Sequence, residues 1–451
     1  MKRFFLAASI AALMMGAGQS AGAQTLAETL ATAYQTNPSL AAERARLRQT
    51  DEGFFQARAQ RLPSLSAGAG YSDTLDSWGG NAGLGGDDGS VSYSVTASQS
   101  LYSGGRISGG IDQAVARIQA SRESLRASEQ QTLLQAIQAH VDVRRDSEVV
   151  RIRTNNVEVL NRQLQAARDR FEVGEITRTD VAQAEARVSG AQAQLSGAQA
   201  QLAASRAFYE RVVGIAPQNL EAPGDTPALP QNYDGVVEVA LDRNPNLRAA
   251  QYGEAAAEHS VRVARGARLP DVSLQASASE RRESDFSGRG VGSTSIQARV
   301  SIPLFTGGAN ESRIRQAIAG VDEARLLLAS ARRQVIEGIT NAWNQYLTAQ
   351  AVIESSREAV RANEIAFEGV EQEAFVGLRT TLDVLNAEQE LLNSRLDYVS
   401  AERDMQVASY ALLVAMGALD FNTLGLDVET IDVQSRIDNA QHNSLDLTPW
   451  N

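Results

Sequence analysis

The chain consists of two related halves in tandem, and this duplication constrains its fold more than any other feature of the sequence. Arg61-Leu62-Pro63 recurs as Arg268-Leu269-Pro270, an offset of 207 residues (270 − 63). Further along, Leu101-Tyr102-Ser103-Gly104-Gly105 recurs as Leu304-Phe305-Thr306-Gly307-Gly308, an offset of 203 residues (307 − 104). A long period with only two copies indicates a duplicated domain rather than a solenoid of many short repeats.

The duplication and the composition together predict five segments. Lys2 and Arg3 precede an apolar run that leads to Ala21-Gly22-Ala23, a pattern typical of a cleaved signal peptide. The stretch between the halves holds four of the chain's ten prolines, which indicates a linker. We therefore expect a signal peptide at 1–23, a first repeat at 24–216, a proline-rich linker at 217–235, a second repeat at 236–420 and a polar tail at 421–451.

The composition argues against several classes of function. The chain has no cysteine, and its three histidines, His140, His259 and His442, share no ligand spacing, so we expect no metal site. Its formal charge is −12, or −14 (−12 − 2) without Lys2 and Arg3, and such an acidic chain is a poor candidate for binding nucleic acid. It contains no nucleophile elbow, HExxH sequence or Walker A loop, so we expect neither an enzyme nor a cofactor.

Four short segments alternate strictly between apolar and small or polar residues, as strands with two different faces do. No charge falls in the apolar phase, and the strands are about ten residues long, which suits a tilted membrane strand. A half-buried sheet in a soluble domain fits the alternation too, but no globular partner sequence lies nearby, which favours a membrane barrel. Four strands cannot close a barrel, so several copies must share one. The apolar phases are Leu65, Ala67, Ala69, Tyr71; Val91, Tyr93, Val95, Ala97; Val272, Leu274, Ala276, Ala278; and Ile296, Ala298, Val300, Ile302.

Each half also predicts helices far longer than those of an ordinary globule. The stretches Arg106–Phe171 and Ala309–Ala374 contain no proline, and a continuous helix of about 66 residues would reach roughly 100 Å. The next helix of each half carries a strict seven-residue repeat, which predicts coiled-coil packing through small companion residues. The repeats are Val181, Val188, Leu195, Leu202, Tyr209 and Val384, Leu391, Tyr398, Met405, Leu412.

Prolines and paired glycines mark the predicted junctions between strands and helices. Proline ends a helical or strand pattern, and paired glycines permit backbone angles that other residues avoid. The two halves carry them at matching places: Pro63, Gly104 and Gly105 in the first, and Pro270, Gly307 and Gly308 in the second.

In combination, these features resemble the TolC family of outer-membrane channels. The resemblance covers Thr25 to Leu419 and includes two Asn-Pro-x-Leu helix starts, the Gly-Gly junctions and the run Val376-Gly377-Leu378-Arg379-Thr380-Thr381-Leu382-Asp383-Val384-Leu385-Asn386-Ala387. It implies a mainly α-helical protomer that contributes four antiparallel strands to a twelve-stranded outer-membrane barrel. The protomers would form a homotrimer, and a long periplasmic α-helical barrel with coiled-coil helices would continue the duct. Implied partners are a periplasmic adaptor and an inner-membrane ABC or proton-driven transporter.

The resemblance also assigns roles to residues at the inner end of the duct. Asp383 matches an acidic position that lines the constricted entrance, whereas Asn386 stands at a second such position, so a trimer would present three carboxylates there. Asp180 and Arg379 match positions that latch the closed state, but Ala374 replaces the expected tyrosine. The turns that would meet the adaptor contain Val173 and Gly174 in the first half, and Val376 and Gly377 in the second.

Three functions follow as alternatives. The overall pattern and the lack of a lipid-anchor cysteine favour the outer-membrane component of a type I protein secretion system. An outer-membrane factor of a multidrug or metal efflux pump is the second possibility. A trimeric coiled-coil structural or adhesive surface protein is the third, but strands interrupt the helices twice at matching places, which favours a duct. In the first two cases we expect an outer-membrane protein with most of its chain in the periplasm.

Overall fold

The structure of the protein is a computed structural model, and it describes residues 24–73, 89–224, 228–283, 290–421 and 424. The predicted signal peptide, the centres of both strand-connecting loops and most of the predicted tail lie outside the described residues. Within them, each half of the chain runs helix, helix, strand, strand, helix, helix. The elements are α1 (Leu26–Thr36), α2 (Pro38–Ala59), β1 (Ser64–Ser72), β2 (Ser90–Tyr102), α3 (Arg106–Glu172), α4 (Arg178–Val213), α5 (Tyr233–Arg243), α6 (Pro245–Gly266), β3 (Asp271–Glu283), β4 (Gly290–Ser301), α7 (Ala309–Phe375) and α8 (Thr381–Ala415).

The two Asn-Pro sequences both start a helix. Pro38 and Pro245 are the first residues of α2 and α6, where the missing proline N–H costs nothing. Asn244 caps α6, because its Oδ1 accepts hydrogen bonds from the backbone N–H groups of Asn246 and Leu247. Asn37 donates through Nδ2 to the carbonyl of Val212 at 3.0 Å, so the first-half asparagine contributes to tertiary packing.

The four predicted strands form one antiparallel sheet in the order β1-β2-β3-β4. Three of them are longer than the alternation indicated, since β2 continues to Tyr102, β3 continues to Glu283 and β4 begins at Gly290. Apolar residues of the predicted phase are exposed on this sheet, for example Leu65 at 75 % and Ile296 at 77 %. In the described residues β1 and β4 each pair on one side only, so the sheet is open at both edges.

Contacts divide the chain into two compact units. The first comprises Met1–Asn37, Glu129–Val236 and Ile339–Asn451. Its main core is a cluster of buried apolar side chains from α1, α3, α4 and α8, including Leu30, Leu133, Ile137, Tyr209 and Leu413. This cluster accounts for the burial of one end of both heptad helices.

The second unit comprises Pro38–Ser128 and Val237–Gly338 and contains the sheet. Ion pairs join its helices and strands: Arg106 bonds Asp271 at 2.5 Å, and Arg262 bonds Asp112 at 2.6 Å. Asn310 donates through Nδ2 to the carbonyl of Ala267 at 3.1 Å, which fixes the start of α7 beside the end of α6.

The two predicted heptad helices are present as α4 and α8, and small companion residues are among their buried positions. Ala184, Ala191 and Ala198 of α4 are buried, as are Ala401 and Ala408 of α8. Small side chains at these positions let neighbouring helix backbones approach closely. No helix in the described ranges is both long enough and apolar enough to span a bilayer.

Candidate functional site

Two turns in the first unit, together with the starts of the helices that follow them, hold the residues that the sequence singled out for gating and adaptor contact. In the first turn (residues 173–177), Gly174 has a φ of 80°. Its N–H bonds the carbonyl of Phe171 at 3.0 Å, and the N–H of Glu175 bonds the carbonyl of Arg170 at 2.9 Å. This pair of bonds is a Schellman motif, which ends α3 and requires a left-handed residue, hence glycine.

The second turn (residues 376–380) repeats this geometry 203 residues later. Gly377 also has a φ of 80°, and its N–H bonds the carbonyl of Ala374 at 3.1 Å. The N–H of Leu378 bonds the carbonyl of Glu373 at 2.9 Å. The Val-Gly sequences therefore end α3 and α7 in the same way.

Asp180 and Asp383 occupy equivalent places in the helices that follow. Each Oδ2 accepts two hydrogen bonds from the N-cap threonine three residues earlier: 2.9 Å from the backbone N–H and 2.8 Å from the hydroxyl of Thr177 or Thr380. Because the backbone N–H bond and then the hydroxyl bond favour the charged form, the pKa of each carboxyl lies below its ordinary value. The charge of Arg379 lowers the pKa of Asp383 further, so the ionised form of Asp383 is favoured.

Arg379 and Asn386 are engaged with residues that the sequence did not indicate. Arg379 donates through Nε to Glu373 Oε2 at 2.7 Å, and this bond, with the charge of Asp383, raises the guanidinium pKa. Asn386 Oδ1 accepts a hydrogen bond from Arg187 at 3.1 Å. Within the described residues of one protomer, no hydrogen bond or ion pair joins Arg379 to Asp180, and the latch stays a prediction.

A cavity of about 490 Å³ lies where Ala374 stands in place of the expected tyrosine. Arg170, Arg379 and Val384 line it together with Ala374. Both guanidinium groups border this cavity, as do the carboxylate of Glu371 and the ring of Phe375.

Apolar side chains project from both turns. Val173 is 77 % exposed and Val376 is 65 % exposed. Leu378 in the second turn and Phe375 just before it are also exposed. A β-carbon added at Gly174 or Gly377 would meet nothing within 4 Å, so the space around both glycines is open. Exposed apolar turns of this kind are candidate contact surfaces.

The predicted junction residues lie in the second unit, at the ends of strands and the starts of helices. Pro63 directly precedes β1 and Pro270 directly precedes β3. The four junction glycines all have positive φ, between 60° and 81°, and lie immediately before α3 or α7: Gly104, Gly105, Gly307 and Gly308.

Sequence reasoning missed one buried ionisable residue near the second turn. Glu388 of α8 is 8 % exposed and borders a groove of about 1100 Å³ lined mainly by α3, α7, α8 and residues 217–223, here called the α3–α8 groove. Its Oε2 accepts a hydrogen bond from Nε2 of Gln163 at 2.8 Å. A glutamate on a heptad helix carries no sequence signal of burial, because its partner is 225 residues away. Among the described residues, no cluster of histidine and carboxylate side chains could hold a metal ion.

Comparisons with known proteins identify the class to which this fold and site belong. A family model described as outer membrane efflux protein matches residues 29–214 and 236–418. The structure of CusC superposes with a TM-score of 0.76 at 17 % identity, covering 87 % of this chain and 92 % of CusC. VceC of Vibrio cholerae superposes with a TM-score of 0.73 at 24 % identity, covering 87 % of this chain and 96 % of VceC. These structures show the same fold.

Relatives in sequence define the family further. The outer membrane efflux protein BepC of Brucella suis is 36 % identical, covering 91 % of this chain and 89 % of BepC. The outer membrane protein TolC of Vibrio cholerae is 25 % identical, covering 88 % of this chain and 91 % of TolC. The alkaline protease secretion protein AprF of Pseudomonas aeruginosa is 27 % identical, covering 68 % of this chain and 65 % of AprF. The chain belongs to the outer membrane efflux protein family, the TolC family of outer-membrane channels, as the sequence predicted.

Proposed function

We propose that this chain is one protomer of a homotrimeric channel-tunnel that carries substrates from an inner-membrane transporter and a periplasmic adaptor out of the cell. The observation that carries this proposal is the open four-stranded sheet with exposed apolar residues. In the part of the chain that the structure describes, both its edges are unpaired, and its apolar residues Leu65 and Ile296 are largely exposed. Three such sheets would satisfy one another's edges in a twelve-stranded barrel, and lipid would cover the apolar face.

The two-repeat organisation supports the same assembly. The family matches at 29–214 and 236–418 fall within the predicted repeats at 24–216 and 236–420. Each repeat would contribute two strands and one pair of packed helices, α3 with α4 and α7 with α8. Three protomers would then supply six helix pairs to a periplasmic tunnel.

Asp383 is proposed to form a ring of three carboxylates at the inner entrance. The hydrogen bonds from Thr380 and the charge of Arg379 keep its pKa low, so the ring would stay charged at ordinary pH. A ring of carboxylates favours cations through its local potential. Asn386 would add no charge to this ring, because its side-chain amide is neutral.

Planar-bilayer recordings of the purified protein test both the channel and the ring. We expect cation-selective single channels, and a smaller cation preference for Asp383→Asn, which removes the charge but retains an oxygen for the cap. Asp180→Asn, at the equivalent cap of the first turn, is the matched control and should keep the parental selectivity. Failure to form channels would refute the proposed function. Channels with unchanged selectivity in Asp383→Asn would refute only the role of Asp383.

The two turns are proposed as the surface for the adaptor, since Val173 and Val376 are exposed beside glycines with open surroundings. A latch between Arg379 and Asp180 remains a prediction for the assembled trimer. In one protomer Arg379 binds Glu373 and Asp180 binds Thr177, so a latch would have to exchange or share these contacts between neighbouring copies.

Efflux of small molecules is the cargo class that we propose first. BepC, which is 36 % identical to this chain, is an outer membrane efflux protein, and its identity exceeds the 27 % of AprF. Type I protein secretion, which the sequence pattern favoured, is the second candidate, and the name of AprF, an alkaline protease secretion protein, supports it.

A deletion strain distinguishes the two cargo classes. If the duct serves efflux, the deletion should increase sensitivity to toxic small molecules and leave secreted proteins unchanged. If it serves type I secretion, one or a few proteins should disappear from the culture medium and remain in the cells. Complementation with the wild-type gene controls for polar effects on neighbouring genes.

A further inference from the structure

A hydrogen bond between Gln163 and Glu388 connects α3 to α8. It uses only one of the two polar atoms of the Gln163 amide. Gln163 Nε2 donates to Glu388 Oε2 at 2.8 Å. The other polar atom of the amide, Gln163 Oε1, is buried and has no hydrogen-bond partner among the described residues. A buried acceptor without a donor is costly, and a protonated carboxyl is one group that supplies a donor.

Charged groups lie on the helices around Glu388, and two of them shift its pKa. Burial raises its pKa to about 7, the bond from Gln163 opposes this, Glu371 of α7 raises the pKa further and Arg162 of α3 lowers it. Arg187 of α4 donates to Asn386, two residues before Glu388. Arg395 on α8 itself is paired with Glu364 of α7 at 2.8 Å.

We propose that Gln163 and Glu388 form a proton-operated clamp that holds α8 against α3. In the protonated state, the Glu388 hydroxyl donates to Gln163 Oε1 while Gln163 Nε2 donates to the other carboxyl oxygen, which gives a reciprocal pair of hydrogen bonds. When the proton leaves for solvent, the O–H bond breaks and its electron pair stays on the carboxylate. One hydrogen bond then remains, and the carboxylate faces both the amide oxygen and Glu371.

The surroundings of the pair give the proton a route to solvent. Glu388 and Glu371 border the α3–α8 groove, and Gln163 and Glu371 border the cavity beside Ala374. The pair lies five residues along α8 from Asp383 (388 − 383). On the proposed channel function, on which this role in gating rests, the clamp favours the closed arrangement of α8 below about pH 7.

The sign of the stability effect follows from the raised pKa. Between the ordinary value of 4.5 and about 7, folded Glu388 binds more protons than unfolded Glu388. Its contribution to stability is therefore fully present below 4.5 and is lost as the pH rises through about 7. The variant Glu388→Gln keeps a permanent donor for Gln163 Oε1 and does not titrate.

Thermal unfolding of the purified full-length protein in detergent tests the clamp without reference to transport. The melting temperature of the wild type, relative to Glu388→Gln, should fall when the pH is raised from about 5 to about 8. Glu390→Gln, an exposed glutamate on the same helix, is the matched control and should show no such change relative to the wild type. Infrared spectra should show a protonated carboxyl band that is lost near pH 7 and is absent in Glu388→Gln. An equal pH response of the wild type and Glu388→Gln in both measurements would overturn the proposal.

Bilayer recordings separate the clamp from the proposed function. The wild type should open more readily at about pH 8 than at about pH 5, whereas Glu388→Gln should keep its low-pH behaviour at both values. A variant that opens like the wild type at both values would overturn the gating role of the clamp. If no variant forms channels, the proposed function fails, while the unfolding and infrared measurements still decide whether the clamp exists.

Discussion

His140 shows how one buried side chain can make the stability of the first unit depend on pH. Its Nδ1 lies 3.0 Å from the hydroxyl of Thr29, and its Nε2 lies 2.9 Å from the carbonyl of Glu221. Because a carbonyl only accepts, Nε2 carries the hydrogen and Nδ1 accepts from Thr29 in the neutral ring. Burial lowers the pKa of His140, the Glu221 bond opposes this, and Arg144 lowers the pKa further.

His140 should therefore destabilise the fold as the pH falls. A folded pKa below 6.5 means that the unfolded chain binds more protons, so stability is present above 6.5 and is lost at lower pH. His140→Leu should lose about 1–3 kcal/mol at neutral pH, because the Glu221 carbonyl loses its partner. The variant should also lose the part of the acid destabilisation that comes from His140. Urea unfolding at several pH values checks this.

His259→Gln on α6 is the control for the histidine experiment, since it removes an imidazole from the other unit. It should unfold with the same acid dependence as the wild type. An acid dependence that persists unchanged in His140→Leu would contradict the prediction. This effect has the opposite sign to that of Glu388, so the two variants report on separate groups.

At the residue scale, contacts between residues close in sequence are easier to predict than contacts between distant residues. Asp383 and Asp180 sit three residues after a threonine, and that spacing alone is typical of helix caps. The bond of Arg379 to Glu373 could not be read from the sequence, because it depends on how the Schellman turn folds the chain back. The Gln163–Glu388 pair joins different halves of the chain, and neither residue type signals burial.

At the element scale, Gly104 and Gly307 are equivalent in sequence but not in surroundings. Their φ angles are 63° and 60°, so any other residue is strained at both positions. A β-carbon at Gly104 would lie 2.6 Å from the carbonyl oxygen of Gly266 and 2.6 Å from Cβ of Leu269. At Gly307 it would meet nothing within 4 Å.

The two glycines therefore form a matched pair for mutation. Gly307→Ala should cost about 1–2 kcal/mol, the strain of a left-handed alanine. Gly104→Ala should cost more, because backbone atoms must also move to relieve the contact. Denaturant unfolding of both variants measures the difference. Equal losses would show that the close approach of α6 to this junction does not constrain the fold.

Elements with a strict period were the most predictable part of the fold. Period-two alternation gave the four strands, and the heptads gave α4 and α8, because each pattern follows from the geometry of its own backbone. The alternation did not reveal how far β3 and β4 extend, since Glu280 and Arg282 look like loop residues in sequence. Pairing between elements also stayed open, because register depends on contacts between distant residues.

At the scale of the whole molecule, the open sheet is the main feature. Among the described residues its edge strands lack a neighbour on one side, and its apolar residues are exposed. The polar face of β4 already carries Arg299, whereas its apolar face exposes Ile296 at 77 % and Val300 at 61 %. In the proposed trimer, lipid covers the apolar face and water fills the other side. Neighbouring positions on one strand should therefore respond in opposite ways to a charge.

Ile296→Arg and Gln297→Arg test this arrangement in the assembled protein. An arginine facing lipid costs about 2–4 kcal/mol near the bilayer midplane, and the trimer would place three there, so Ile296→Arg should strongly reduce trimer in the outer-membrane fraction. Gln297→Arg should insert like the wild type, because the same face tolerates Arg299. Electrophoresis of heated and unheated membrane fractions measures both outcomes. Equal insertion of the two variants would mean that lipid does not cover the face of Ile296, and the shared barrel would have to be abandoned.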